Sequence, residues 1–288
     1  MTRVPDAAGL REITAQAPVE LVTATDGNHG RAVAYLGRLL GLPVRVFVPD
    51  VVSPRTATLI GAEGAAVTVV RQPYDGAVYQ AARYAAAEPG RALVQDTAWP
   101  GYEQVPGWIV AGYETLLAEI DAQLGDRGLA GPDLISVPVG VGSLGQAVVA
   151  HYRSRPSASG AGPAVLAVEP AAAACVLASL RAGACRSIET GATIMDGLNC
   201  GTPSMLAWPV LSAGLDAAIA VPDAAAYAAV AELTGHRISA RPSGAAALAG
   251  VRAALTGDGE GARRRELGLT ASSVVVLLST EGQVVTKT

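Results

Sequence analysis

Val19-Glu20-Leu21-Val22-Thr23-Ala24-Thr25, followed at once by Asp26-Gly27-Asn28-His29-Gly30, is the stretch from which the fold can be read. Its first part is rich in β-branched and apolar residues, the composition of a strand. The second part breaks that run with glycines, and Gly30–Leu40 then takes up helical spacing. Another β-rich run, Val44–Pro49, completes a strand–helix–strand unit. Alternation of strand and helix argues for α/β architecture with largely parallel sheets.

The alternation continues outward. A helix near Pro54–Ile60, a strand Ala65–Val70, a helix Gly76–Ala87 and a strand Ala92–Gln95 complete a first unit. The amphipathic segment Trp108–Leu124 opens a second series: strand Leu134–Val139, helix Leu144–Tyr152, strand Ala164–Val168 and helix Ala171–Leu180. An irregular glycine-rich stretch, Gly191–Pro203, precedes helix Met205–Ala213, strand Ala217–Val221, helices Ala224–Leu233 and Ser243–Leu255, and strand Ser273–Leu278. Ser157–Gly162 and Gly257–Arg265 read as exposed loops. The predicted organisation is two doubly wound parallel-sheet domains: residues 1–18 as a residual linker with little pattern, 19–100 as a small α/β domain, and 101–288 as a large one. Trp99, Pro100, Gly101 and Pro106 interrupt the periodicity at the boundary.

With 50% hydrophobic residues, 16% charged residues and a net charge of −4, the chain lacks the basic face that nucleic-acid binding needs. Charges at Arg3, Asp6, Arg11 and Glu12 leave no apolar block for a secretory signal, and Glu169 and Pro170 break the most apolar region, Pro163–Leu180. The expectation is a cytoplasmic protein with no membrane span. Cys175, Cys185 and Cys200 form neither a CxxC pair nor a zinc pattern with the histidines, so no metal is expected, and spacing leaves a Cys175–Cys200 bridge undecided. His151, within a helix, and His236, beside Arg237, read as structural or solvated.

Four turns after predicted strands carry chemistry, because the carboxyl ends of parallel strands are where α/β proteins bind ligands. In Thr23–Gly30, Asn28 could hold a phenolic oxygen and Asp26 could move a proton, although either could simply cap the following helix. In Gly140-Val141-Gly142-Ser143-Leu144-Gly145, backbone N–H groups at a helix start favour a phosphate. That loop also matches GxGxxG, with Glu169 where a dinucleotide fold places its ribose acid. In Gln95–Tyr102, Asp96 beside aromatic residues is a candidate acid or base, or an aspartate ordering a loop. In Ser279-Thr280-Glu281-Gly282, the hydroxyls could face a pyridine nitrogen, or the segment could be a plain turn.

Together with Thr193-Ile194-Met195-Asp196-Gly197-Leu198-Asn199-Cys200-Gly201, these segments resemble the fold-type II pyridoxal-phosphate enzymes, and among them the diaminopropionate ammonia-lyases. They occur in family order over nearly the whole chain. The stretches TDGNHGR and QDTAWPGY are specific to the lyase, whereas the glycine loop is shared with threonine dehydratases and cysteine synthases. The resemblance implies pyridoxal 5′-phosphate as cofactor, its phosphate cradled by Gly140, Val141, Gly142, Ser143, Leu144 and Gly145. Asn28 would hold the ring hydroxyl, and Ser279 or Thr280 would face the pyridine nitrogen. Asp26 and Asp96 would be the catalytic residues, serving substrate handling and proton transfer. The implied reaction is α,β-elimination from 2,3-diaminopropionate, a small amino acid, to pyruvate and ammonia, in a homodimer.

Two departures qualify that expectation. All 21 Lys and Arg residues are arginine except Lys287, next to last in the chain, where a lysine reads as a solvated charge. The family's cofactor-anchoring lysine lies upstream of the TDGNHG segment, so the chain reads as N-terminally truncated and inactive as written. In addition, Arg241 stands where the type II enzymes usually carry glutamate. A noncatalytic protein that keeps the fold and binds a phosphorylated small molecule, and a threonine/serine dehydratase-like lyase, are the alternatives. A nicotinamide-dependent oxidoreductase built on the Gly140 loop leaves both aspartate motifs unexplained.

Overall fold

The computed structural model describes residues 6–154 and 162–282. Lys287 and residues 157–161 of the expected first loop lie outside that range. The chain divides into two compact units, residues 1–96 and 97–288.

The first unit runs α1 (Ala7–Gln16), β1 (Glu20–Ala24), α2 (Asn28–Leu40), β2 (Val44–Pro49), α3 (Pro54–Ala62), β3 (Ala66–Val70), α4 (Tyr74–Ala86) and β4 (Arg91–Leu93). Its strands form a parallel sheet in the order β3-β2-β1-β4, with Thr23 opposite Val46 and Val22 opposite Leu93. The central strands are apolar without alternation because helices cover both faces of such a sheet. Val22, Val46, Val48, Ala34 and Ile60 are buried accordingly.

The second unit runs α5 (Gln104–Gly112), α6 (Glu114–Asp126), β5 (Leu134–Pro138), α7 (Ser143–Arg153), β6 (Ala164–Pro170), α8 (Cys175–Ala182), a 3-10 turn Asp196–Leu198, α9 (Ala207–Gly214), β7 (Ala217–Val221), α10 (Asp223–Gly235), α11 (Pro242–Leu255), α12 (Glu260–Glu266) and β8 (Val275–Leu277). The parallel sheet has the order β7-β6-β5-β8. Successive residues point to opposite faces. Leu134, Leu166 and Val168 pack with Leu233, Ala245 and Leu248 of α10 and α11, while Ile135, Val137, Val165 and Ala167 pack with Leu117, Val148 and Leu211 on the other side. The expected α/β class and parallel sheets are therefore present.

Three elements depart from the sequence reading. Residues 7–16 form α1, capped by the Asp6 carboxylate accepting from Gly9 N–H at 2.9 Å and tied to α2 by Arg11 Nε donating to Leu39 O at 2.7 Å. The single amphipathic segment Trp108–Leu124 is two helices, broken at Gly112-Tyr113, where Tyr113 N–H turns to Val110 O at 3.1 Å. Glycine is the residue least costly to take out of a helix. The second expected loop, Gly257–Arg265, is largely α12. There Arg263 donates to Ala254 O, Thr256 O and Asp258 O, and Arg264 to Leu255 O, so the guanidiniums satisfy the last carbonyls of α11.

His151 is buried in α7, its ring nitrogens 2.8 Å from Glu114 Oε1 and 2.8 Å from Asp121 Oδ2 of α6, a structural tie. His236 is exposed. No helix among the described residues is long and apolar enough to cross a membrane.

Candidate functional site

Each unit brings its own predicted residues together at the carboxyl ends of neighbouring strands. In the first unit, β1 ends at Ala24 and β4, its sheet neighbour, at Leu93. Asp26, buried, follows the one, and Asp96, half-buried, follows the other. Asn28 is the exposed first residue of α2. The cap position of this turn is Gly27, which offers no side chain, and Thr25 supplies an acceptor to the turn. Its Oγ1, 2% exposed as a residue, accepts from Gly27 N–H at 2.9 Å and Gly30 N–H at 3.0 Å. His29 Nε2 donates to Val94 O at 2.7 Å, tying the same turn to the strand end that carries Asp96.

The sequence reading assigned no role to the group that orders Asp96. Gln95 is fully buried; its Oε1 accepts from Ala24 N–H at 2.9 Å and its Nε2 donates to Asp96 Oδ1 at 2.9 Å. Tyr74 OH, from the start of α4, donates to the same Asp96 oxygen at 3.0 Å. A carboxylate aimed by two donors is pre-oriented for proton transfer. Replacing Thr25 by valine keeps shape but removes the acceptor of both turn N–H groups. The expected cost is about 1–2 kcal/mol, read from urea unfolding. An unchanged midpoint would show that the hydroxyl does not cap.

In the second unit, the glycine loop follows β5 and leads into α7. Gly142 has φ +99°, a backbone that side chains rarely adopt, and a Cβ there would lie 2.7 Å from Leu211 Cδ1. At Gly140 a Cβ would come within 3.1 Å of Cys200 Sγ and 3.3 Å of Gly197 O. Ser204 N–H fixes the loop from outside by donating to Val141 O at 2.7 Å. The α7 cap residue, Gly142, supplies no side-chain acceptor to the first turn. Close-packed backbone with an uncapped helix start is the geometry that receives a phosphate. Val141, Gly142, Ser143 and Gly145 are buried; Gly140 and Leu144 are partly so.

Ser279 and Thr280 follow β8, which neighbours β5, and both are exposed. Thus the loop and the two hydroxyls share one edge of the second sheet. Glu169 is turned away from any ribose. It is fully buried, and its two oxygens accept from Val176 N–H and Leu177 N–H, each at 2.7 Å. Burial pushes its carboxyl up to about 7, against the pull of those bonds. That overturns the dinucleotide assignment of Glu169. Burial also pushes the neighbouring Cys175 thiol up, with Glu169 adding to the rise. Cys175 Sγ lies 3.7 Å from Gly140 O, and all three cysteines are free.

An open parallel sheet with a close-packed glycine loop at its strand ends defines an α/β protein of the kind that binds ligands at that end. The family described as pyridoxal-phosphate dependent enzyme matches residues 7–279, and the chain belongs to that family. It is 36% identical over 277 residues to the diaminopropionate ammonia-lyase of Salmonella typhimurium, covering 91% of this chain and 66% of that protein. It is 32% identical over 237 residues to a biosynthetic L-threonine dehydratase of Mycobacterium leprae, covering 80% of this chain and 52% of that protein. The structure of diaminopropionate ammonia-lyase from Escherichia coli in complex with an aminoacrylate-PLP azomethine reaction intermediate superposes with a TM-score of 0.82 at 31% identity, over 92% of this chain and 68% of that one. The chain spans 66% of the length of the curated lyases it matches.

Proposed function

We propose that this chain carries the cofactor-binding and acid–base groups of a diaminopropionate ammonia-lyase-like reaction, the α,β-elimination of 2,3-diaminopropionate to pyruvate and ammonia. The observation that carries the reading is the Gly140–Gly145 cradle, whose backbone packing and uncapped helix start fit the phosphate of pyridoxal 5′-phosphate. Bound there, the cofactor supplies an electron sink for the substrate's Cα carbanion.

The remaining roles belong to side chains. The first-turn N–H groups of α7 bind the phosphate, and Ser279 or Thr280 faces the ring nitrogen. Asn28 is assigned to the ring hydroxyl. Asp96, held on one oxygen by Tyr74 and Gln95, keeps its orientation while it handles a proton. Asp26, at the end of the adjacent strand, is the second acid–base group. The expected domain roles follow the same division, with the larger, C-terminal part holding the phosphate.

Residues 1–286 contain no lysine. We therefore expect the 288-residue polypeptide, on its own, to hold the cofactor by its phosphate and ring and to be severely impaired in turnover. That scarcity also favours the second reading, a noncatalytic binder of phosphorylated small molecules. The test is to titrate the purified chain with pyridoxal 5′-phosphate, reduce with borohydride, and locate any attached cofactor by mass spectrometry. A separate, unreduced sample of the cofactor-loaded chain is assayed for ammonia with 2,3-diaminopropionate, L-threonine and L-serine. Phosphate-competed binding without a covalent adduct, and ammonia at the cofactor-only background, is the expected result. Ammonia released at about 10 per second, an ordinary enzymatic turnover, would overturn the impairment. Failure to bind the cofactor at all would overturn the cradle.

A further inference from the structure

Arg241 immediately precedes α11 and ties that helix to the turn that ends β8. Its N–H donates to Glu281 O at 2.9 Å, and its Nη1 meets Glu281 Oε1 at 3.1 Å. Its Nη2 is 4.0 Å from Asp196 Oδ2, so Glu281 is the main partner and Asp196 a flanking one. The pair is largely withdrawn from water: the Arg241 side chain is 29% exposed and that of Glu281 8%. In such a place an ion pair is screened far less than on an open surface, and removing one partner strands the other charge.

The turn also lies directly against the helix. A Cβ on Gly244 would come within 2.6 Å of Glu281 O and 3.0 Å of Ser279 Oγ, so the first turn of α11 touches the hydroxyl assigned to the ring nitrogen. Beside it, Ser243 Oγ accepts from Gly197 N–H at 3.2 Å, joining the same helix start to the 3-10 turn whose Gly197 O approaches Gly140. Burial pushes the Asp196 carboxyl up, while Arg241 opposes the rise and Glu281 and Asp223 add to it. One guanidinium thus serves an otherwise acidic corner. A glutamate, which the resemblance would put at this position, would face Glu281 with like charge.

We propose that Arg241 is a positioning residue for ring recognition: by clamping Glu281 it fixes the Ser279–Thr280 hydroxyls, while the glycine loop holds the phosphate independently. This rests on the function proposed above, and the test separates the two. The full 288-residue chain is titrated calorimetrically with pyridoxine 5′-phosphate, which has ring and phosphate but no aldehyde for an amine to capture, and with inorganic phosphate. Arg241→Gln is expected to weaken pyridoxine 5′-phosphate binding about tenfold, or 1.4 kcal/mol, and to leave inorganic phosphate within about twofold. Arg241→Lys, which keeps the charge, is expected to retain most of the ring-dependent affinity. Unchanged affinity for pyridoxine 5′-phosphate in Arg241→Gln overturns the proposal, as does a parallel loss for both ligands or a failure of Arg241→Lys to rescue. A wild-type chain that binds inorganic phosphate but gains nothing from the ring, or binds neither, overturns the cofactor reading itself.

Discussion

Replacing Gly142 with alanine is expected to remove measurable phosphate binding and to cost about 2–5 kcal/mol of stability. Two independent effects add. A φ of +99° puts an alanine Cβ against its own backbone, a cost of about 1–2 kcal/mol. The same Cβ would sit 2.7 Å from Leu211 Cδ1 and 3.1 Å from Ala207 Cβ, and forcing a methyl into a packed core costs about 1–3 kcal/mol more. Leu211 is fully buried in the cluster that joins α7 and α9 to the sheet, so it has little room to yield. The loop must therefore move, and it carries the N–H groups of the α7 start with it. An affinity loss of more than about tenfold for inorganic phosphate should accompany the lowered urea midpoint. A variant that unfolds at the wild-type midpoint would disprove the crowding. One that is destabilised yet binds phosphate normally would show that the cradle does not depend on this backbone.

Apolar strands and the glycines between β5 and α7 explain why the fold and much of the second unit are legible in the sequence. A parallel strand covered on both faces must be apolar throughout, so Leu134–Pro138 and Val44–Pro49 announce themselves, and between β5 and α7 the positions of Gly140 and Gly142 leave no room for a Cβ. What was not legible depends on partners far apart in the chain. Helix α12 reads as a loop because Gly257–Arg265 is a low-complexity stretch, whereas the Arg263 and Arg264 guanidiniums complete the end of α11. Thr25 was hidden because its bonds to Gly27 and Gly30 exist only after the turn has formed. Tyr74 and Gln95 reach Asp96 from the start of a helix and the end of a strand, and no periodicity marks them. Arg241 and Glu281 meet only when β8 docks beside α11. The end of a strand identifies where a site residue can stand; which hydroxyl, amide or guanidinium aims it is decided by tertiary structure.

Glu169 should make this protein lose stability as pH rises, the reverse of the usual paired carboxylate. Its carboxyl goes from an ordinary 4.5 to about 7 because burial outweighs the two N–H bonds it accepts. The folded state therefore binds this proton more tightly than the unfolded state does. The stabilisation is fully present below about 4.5, declines as pH passes through 7, and is gone above it. A shift of that size corresponds to about 2.5 kcal/mol lost between pH 5 and pH 8. Glu169→Gln removes the titration, although glutamine offers only one acceptor oxygen for the N–H groups of Val176 and Leu177, and one of those bonds is lost. The difference in unfolding free energy between wild type and variant, measured in urea at both pH values, should thus change by about 2.5 kcal/mol in favour of the variant at high pH. A difference independent of pH would mean that Glu169 stays ionised in the folded protein. The consequence reaches the cradle, because Glu169 holds the first turn of α8, and the first residue of that helix, Cys175, lies with its Sγ 3.7 Å from Gly140 O. Phosphate affinity measured alongside stability should therefore weaken from pH 6 to pH 8 less in Glu169→Gln than in wild type.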